Sequence, residues 1–210
     1  MSSNKGKLLV IDGGEGSGKG TFIARAKEIF SRALFTREPG GTEYAEKMRE
    51  LVLGGLGKNT SSLSQLLAVM SARADHVEKV IRPAIEKGQH VITDRFDSAT
   101  WAYQIVHDKR LKNIFHDIRK SILGGKNTIK PIYVYLDVNP EVGLERRSKD
   151  RGQKLNHFDL QSVDFHTNVR NGYLEFLKTL PPKQSYIINA RRPLEEVMEE
   201  TIETVSKILN

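Results

Sequence analysis

Short apolar runs alternate with longer amphipathic stretches along the whole chain. The runs at 8–12, 33–36, 90–93, 132–136 and 186–188 are rich in Val, Ile, Leu or Tyr and read as strands. Between them, segments 21–32, 42–53, 63–87, 98–106, 111–123, 140–150, 160–180 and 194–209 space their apolar residues as helices do. Strands that are apolar without interruption, separated by helices, predict a parallel sheet covered on both faces. Ligands on such sheets gather at the carboxyl ends of the strands. No repeat, low-complexity tract or interdomain linker breaks the pattern, so residues 1–210 read as a single domain. Segments 54–62 and 151–157 are polar or glycine-bearing and read as mobile connections.

The first predicted strand runs into Asp12-Gly13-Gly14-Glu15-Gly16-Ser17-Gly18-Lys19-Gly20-Thr21, and a helical pattern follows. A strand, a glycine-rich turn and a helix start make a phosphate cradle. The glycines let backbone N–H groups turn inward, and the helix N-terminus adds its positive end. Lys19 then reaches the outer phosphates of a nucleotide. The bare spacing of Gly and Lys is a weak signal; its place between strand and helix is what gives it weight. One departure stands out. Gly20 occupies the position after the lysine where Ser or Thr is usual, so no hydroxyl from position 20 can bind a metal. A Mg²⁺ ion must then lean on waters, carboxylates and nucleotide oxygens.

Four further groups of residues can carry chemistry. Asp94 and Arg95 close the third predicted strand: Asp94 is placed to organise Mg²⁺ through its waters, and Arg95 to clamp a phosphate. The stretch 36–42, with Pro39 and two glycines, reads by itself as a structural loop whose Thr42 caps a helix. In the long helix, Val69 and Arg73 share a face, while Asp75 and His76 read as solvated. Thr100, Tyr103 and Gln104 also share a face, which is either a set of ligand contacts or a partly buried side. Finally, Arg146, Arg147, Lys149, Arg151 and Lys154 are either a solvated basic helix or a cationic flap over a triphosphate. The six histidines show no metal-ligand spacing.

Bulk properties narrow the class without choosing a function. The composition is that of an ordinary globular protein, and 210 residues suffice for a substantial core. The absence of Cys excludes disulfides and thiolate chemistry. No apolar run approaches a membrane span and no signal-peptide pattern opens the chain, so a cytoplasmic protein is expected. The net charge of +7 suits polyanionic ligands, but a solvated lysine surface accounts for it equally well.

The segments VIDGGEGSGKGT, TREPGGTEYAEKMRELVL, LLAVMSARADHVEKVIRPAIEKGQHVITDRF, TWAYQ, PEVGLERR and INARRPLEEV together resemble the thymidylate kinases, almost end to end. The resemblance implies a P-loop α/β sandwich with a five-stranded parallel sheet, helices on both sides and a short mobile lid near 146–159. It implies transfer of the ATP γ-phosphoryl group to dTMP with Mg²⁺, by a homodimer, with neither membrane nor nucleic acid as partner. It implies that Gly13, Gly14, Glu15, Gly16, Ser17, Gly18, Lys19, Gly20 and Thr21 cradle ATP. Arg191 and Arg192 would pass near adenine. Glu15 would sit by the acceptor phosphate and reach the metal through water, as Asp94 does. Arg49 and Arg95 would hold that phosphate, Arg73 would read thymine, and Pro39, Val69, Thr100, Tyr103 and Gln104 would line the nucleoside pocket. Gly16 leaves the phosphate loop without an arginine, so the catalytic cation is expected from the lid. Arg151, beside Gly152, is favoured over Arg147, which is expected to pack on the core. Departures from the family are Val69 where a stacking Phe is usual, Ala99 for a Ser, Gly20 for Ser or Thr, and Asp159 for a lid Glu. The rival readings are a kinase for another deoxynucleoside monophosphate and a non-catalytic nucleotide or nucleic-acid binder. A GTPase switch is disfavoured, because no Asn-Lys-x-Asp motif is present.

Overall fold

The computed structural model describes residues 5–125, 128–149 and 158–210. Five parallel strands form one sheet: β1 (Leu8–Gly13), β2 (Leu34–Arg37), β3 (Val91–Asp94), β4 (Ile132–Asp137) and β5 (Ser185–Asn189), in the order β2-β3-β1-β4-β5. The alternation of side chains along each strand builds two cores. Leu8, Val10, Val91, Tyr133 and Tyr135 face one of them. Leu9, Ile11, Ile92, Val134 and Leu136 face the other. Every residue of β1 is buried, as befits the central strand of a sheet covered twice. All five strand ends expected from the sequence fall within a residue or so of those observed.

The helices follow in chain order: α1 (Lys19–Ile29), α2 (Glu43–Leu53), the short α3 (Gly55–Lys58), α4 (Ser62–His76) and α5 (Arg82–Glu86). After β3 come α6 (Asp97–Thr100) and α7 (Lys112–Leu123); after β4 come α8 (Pro140–Lys149) and α9 (Val163–Lys178); α10 (Leu194–Leu209) ends the chain. Thr42 caps α2 by accepting from the Ala45 N–H, as its sequence position predicts. The long helix expected over 63–87 is not uniform. A wide π-type turn at Val77–Ile81 separates α4 from α5. It precedes Pro83, which has no N–H to give to an earlier carbonyl and disfavours a regular turn there. A second wide turn, Trp101–Ile105, continues α6 and carries Tyr103 and Gln104. The connection 54–62, read from sequence as mobile, contains α3, and the Gln65 amide holds it by donating to the Gly57 carbonyl at 2.7 Å.

One contact fixes the phosphate loop against the rest of the molecule. A Cβ on Gly143 of α8 would lie 2.2 Å from the Glu15 carbonyl oxygen, and one on Gly16 would lie 2.1 Å from the Gly143 carbonyl oxygen. The two backbones touch, so side chains are excluded from both. Gly16 and Gly18 also have φ of +64° and +90°, which only glycine adopts at no cost. Gly143→Ala is expected to lower unfolding free energy by about 1–3 kcal/mol, because backbone and not a flexible side chain must yield. Gly14→Ala, whose added Cβ meets nothing within 4 Å, should stay within about 0.5 kcal/mol of the wild type. Urea unfolding of the two variants tests the contrast.

Candidate active site

The carboxyl ends of β1, β2 and β3 open into one cavity of about 290 Å³. Lys19 enters it from the start of α1 and pairs with Asp94 at the end of β3, Nζ to Oδ1 at 2.6 Å. Burial alone would raise the Asp94 pKa, but Lys19, Arg95 and Arg49 outweigh it and hold the carboxyl below its ordinary range. Asp94 therefore stays ionised.

Arg95 follows with a φ of +67°, a left-handed conformation uncommon for a side-chain-bearing residue. Its N–H donates to the Ile11 carbonyl of β1, and its own carbonyl accepts from the Thr93 hydroxyl of β3, so the neighbouring strand and its own both hold the strained residue. The guanidinium donates to the Tyr173 hydroxyl at 2.7 Å and to Glu15 at 3.2 Å, and lies over the Tyr103 ring. Burial opposes its charge, yet Tyr103, Tyr173, Glu15 and Asp94 together raise its pKa far above the ordinary value. It is a fixed cation aimed into the cavity. Arg147 from α8 lies 3.8 Å from the other oxygen of Glu15 and also lines the cavity, rather than packing on the core as its sequence position suggests. Glu15 thus stands between two arginines at the tip of the phosphate loop. Arg151 and the remainder of the basic segment at 150–157 lie outside the described residues.

The other half of the cavity mixes apolar and polar walls. Val69, Phe96, Ala99, Thr100, Tyr103 and Gln104 form its walls, and Arg73 projects into it from α4. The Arg73 guanidinium lies over the Phe96 ring, donates to the Thr100 hydroxyl at 2.9 Å and to Glu38 at 2.7 Å. Phe158, just after the undescribed segment, meets the Tyr103 ring edge-on at 5.2 Å. Arg49 donates to the Pro39 carbonyl at 2.9 Å and faces the same space. The predicted residues Glu15, Lys19, Pro39, Arg49, Val69, Arg73, Asp94, Arg95, Thr100, Tyr103, Gln104 and Arg147 all line this one cavity.

Arg191 and Arg192 do not line it. They follow β5, on the far side of the phosphate loop. The Arg191 N–H donates to the Asn189 side chain, and Arg192 pairs with Glu200. Arg146, read from sequence as part of either a solvated basic helix or a cationic flap, donates to the Ala190 carbonyl at 2.8 Å and the Arg191 carbonyl at 3.2 Å. It ties α8 to the loop after β5.

The sequence profile described as thymidylate kinase matches residues 11–201. The chain belongs to the thymidylate kinase family. It is similar to the thymidylate kinase of Legionella pneumophila (strain Corby), with 37% identity covering 98% of this chain and 96% of that one. Against the thymidylate kinase of Shouchella clausii (strain KSM-K16) the identity is 34%, covering 98% and 97%. The crystal structure of thymidylate kinase from Ehrlichia chaffeensis shares the fold with a TM-score of 0.70 at 24% identity, covering 96% of this chain and 99% of that chain.

Sequence reasoning missed several residues that complete the site. Tyr173 orients Arg95 from α9, whose apolar stripe hid it among core residues. Phe96 supports Arg73. His76, expected to be solvated, is 0% exposed and bonded to Glu38 and Thr36, because the loop after β2 folds over it. Glu38 itself is buried and central, although the loop that carries it reads from sequence as structural only. Asp75 is bonded to Thr42 and Lys79.

Two carboxylates, Asp94 and Glu15, line the phosphate half of the cavity. Among the described residues no three His, Cys, Asp or Glu side chains cluster as a metal cage. A pair of separated carboxylates beside a phosphate loop fits a cation that keeps its waters and takes phosphate oxygens, as Mg²⁺ does. A third carboxylate, Asp12, is buried below them and accepts a short hydrogen bond from the Ser98 hydroxyl. Burial pushes its pKa up from 3.8 to about 6, against the pull of Ser98, Arg95 and Lys19. Between those two values the folded state holds a proton that the unfolded chain has released. Stability contributed by that proton is present at low pH and falls as pH rises through the window. Asp12→Asn cannot ionise, so its stability relative to the wild type should rise by about 2 kcal/mol from about pH 4 to pH 7. Chemical unfolding of both proteins across that range measures the difference.

Proposed function

We propose that the protein transfers the γ-phosphoryl group of ATP to dTMP, giving ADP and dTDP. The observation that carries this is the cavity itself. Phosphate-facing cations and a walled pocket with a buried arginine share one cavity, in a member of the thymidylate kinase family. An acceptor phosphate and a donor phosphate can meet there, in line.

In this reading Lys19 leaves Asp94 for the phosphates of ATP, which the loop Gly13–Thr21 cradles through its N–H groups. Asp94 and Glu15 are then available to waters of the Mg²⁺ shell. Mg²⁺, when bound, neutralises charge on the phosphate oxygens. Arg95, fixed by Tyr173 and Glu15, holds the acceptor phosphate with Arg49. Arg73, Thr100 and Gln104 address the base, with Val69, Pro39 and Tyr103 as walls. Charge that develops on the transferring group needs a further cation, and the phosphate loop carries no arginine. Arg147 and Arg151 are the two candidates from α8 and the segment after it. Support for Arg147 is its position beside Glu15. Arg191 and Arg192 remain assigned to the adenine side.

We infer further that the enzyme is a cytoplasmic homodimer. No helix among the described residues is long and apolar enough to cross a membrane. Tyr44 and Leu51 on α2, Leu56 on α3, and Leu63 and Leu67 on α4 are exposed on adjoining helices, which suits a second copy. Free nucleotides, and not a nucleic acid, are the ligands this cavity can enclose.

Two measurements test the reading. In an acceptor panel with Mg-ATP, dTMP should release ADP faster than dCMP, dGMP or AMP. Since Val69 offers no aromatic face, dUMP should trail dTMP by only ~10–200-fold, the discrimination one methyl group provides. A faster reaction with AMP or dCMP would overturn the assignment. Single substitutions then sort the cations. Lys19→Ala should cost about 10²-fold or more in kcat without unfolding the protein. Of Arg147→Ala and Arg151→Ala, the catalytic one should cost ~10³-fold in kcat with modest KM changes. If neither lowers kcat tenfold, the lid does not supply the cation.

A further inference from the structure

Arg73 can read a base only if its guanidinium is held at one angle. It is 2% exposed, and three side chains of the protein hold it. Nε donates to Glu38 Oε2 at 2.7 Å, one terminal nitrogen donates to Thr100, and the other touches the Met70 sulfur. Three of the five N–H groups are thereby used, and the two that remain are what a base carbonyl can take.

Glu38 is the strongest of these constraints, and it is itself held. Its second oxygen, Oε1, lies 3.0 Å from His76 Nδ1. A carboxylate only accepts, so Nδ1 carries the proton. The opposite nitrogen, Nε2, faces the Thr36 hydroxyl of β2 at 2.7 Å. The imidazole is thus fixed at both ends, between a strand and a carboxylate. The loop after β2 closes on it so tightly that a Cβ on Gly41 would lie 2.3 Å from Nε2, and Gly41 has a φ of +90°. A ring placed only to fill core space needs none of these bonds. His76 does not line the cavity, so whatever it does for the ligand passes through Glu38.

We infer that His76 is a positioning residue for acceptor recognition: the chain Thr36–His76–Glu38 sets the orientation of Arg73 and with it the affinity and selectivity for the pyrimidine. The inference rests on the proposed role of Arg73 as the group that meets the base. Losing His76 lets the Glu38 carboxylate turn, and a guanidinium held by one fewer fixed partner no longer presents its two remaining donors at one angle.

The test separates positioning from packing. His76→Phe keeps a ring in the space and removes both hydrogen bonds. His76→Asn keeps an N–H near the place of Nδ1. Thr36→Val removes only the outer bond, at equal volume, and stands in should His76→Phe fail to fold. Steady-state kinetics with dTMP, dCMP and ATP are measured for each, with circular dichroism confirming the fold. His76→Phe should raise KM for dTMP about tenfold and narrow the preference over dCMP by a similar factor. Its kcat should stay within about threefold and its KM for ATP should not move. His76→Asn should recover most of the loss, and Thr36→Val should show a smaller shift in the same direction. Unchanged KM for dTMP in folded His76→Phe and Thr36→Val overturns the inference, as does a loss shared equally by both substrates. A wild type that prefers an acceptor other than dTMP refutes the proposed function instead. The same KM split is then read on that acceptor.

Discussion

The site depends on placing many cations in one small space and keeping them apart. Lys19, Arg37, Arg49, Arg73, Arg95 and Arg147 line a single cavity with Glu15, Glu38, Asp94 and Asp159 among them. Two like charges at ~4 Å repel by ~4 kcal/mol at the effective dielectric of a protein edge, so such a set does not assemble without intervening anions. Each inner carboxylate has a defined place. Asp94 holds Lys19, Glu15 lies between Arg95 and Arg147, and Glu38 holds Arg73. Among the described lining residues this leaves a surplus of two positive charges, which suits the phosphate groups of the proposed substrates. The same arrangement that lets these cations pack together therefore leaves a positive surplus for the anionic ligands of the proposed reading.

The strain at Arg95 follows from this. To aim its guanidinium back toward the phosphate loop, the residue after β3 must leave the sheet abruptly, and a left-handed backbone does so in one step. Hydrogen bonds to Ile11 and Thr93 and the grip of Tyr173 hold it there. A residue in this region costs of order 1–3 kcal/mol, which the surrounding bonds must offset. The contact of Gly143 with the Glu15 carbonyl serves the same end from the other side. It brings α8, and Arg147 on it, within reach of the loop tip.

How much of this the sequence discloses depends on the range of the interaction. The five strands are legible because each is a short, continuous apolar run, and the phosphate loop because its glycines and lysine are neighbours in sequence. Thr100, Tyr103 and Gln104 are legible as one helical face, although the wide turn at Trp101–Ile105 that aims them is not. His76 marks the limit. Its position in α4 gives no sign of burial, since what buries it is the loop 38–41 packed from another strand. Tyr173 is hidden for a related reason: its ring belongs to the core, and only its hydroxyl, meeting Arg95 from 78 residues away, belongs to the site. Resemblance to a family names the residues expected to touch substrate. It does not name those that hold them, because these act through side-chain geometry that no local pattern encodes.

That distinction bears on Val69. A stacking aromatic adds about 0.5–1.5 kcal/mol beyond its buried area, and this chain forgoes that contribution at position 69. In the proposed reading, discrimination among bases then falls to hydrogen bonds from Arg73, Thr100 and Gln104. Hydrogen-bond recognition is steep only when the partners are fixed, because a mobile donor relaxes toward the wrong base as readily as toward the right one. A protein that gives up the stack therefore relies more on the rigidity of Arg73. The buried Glu38 and the doubly bonded His76 behind it supply that rigidity, and Phe96 beneath the guanidinium confines its plane. On the proposed role of Arg73, selectivity in this pocket thus moves from the surface that touches the base to the layer behind it.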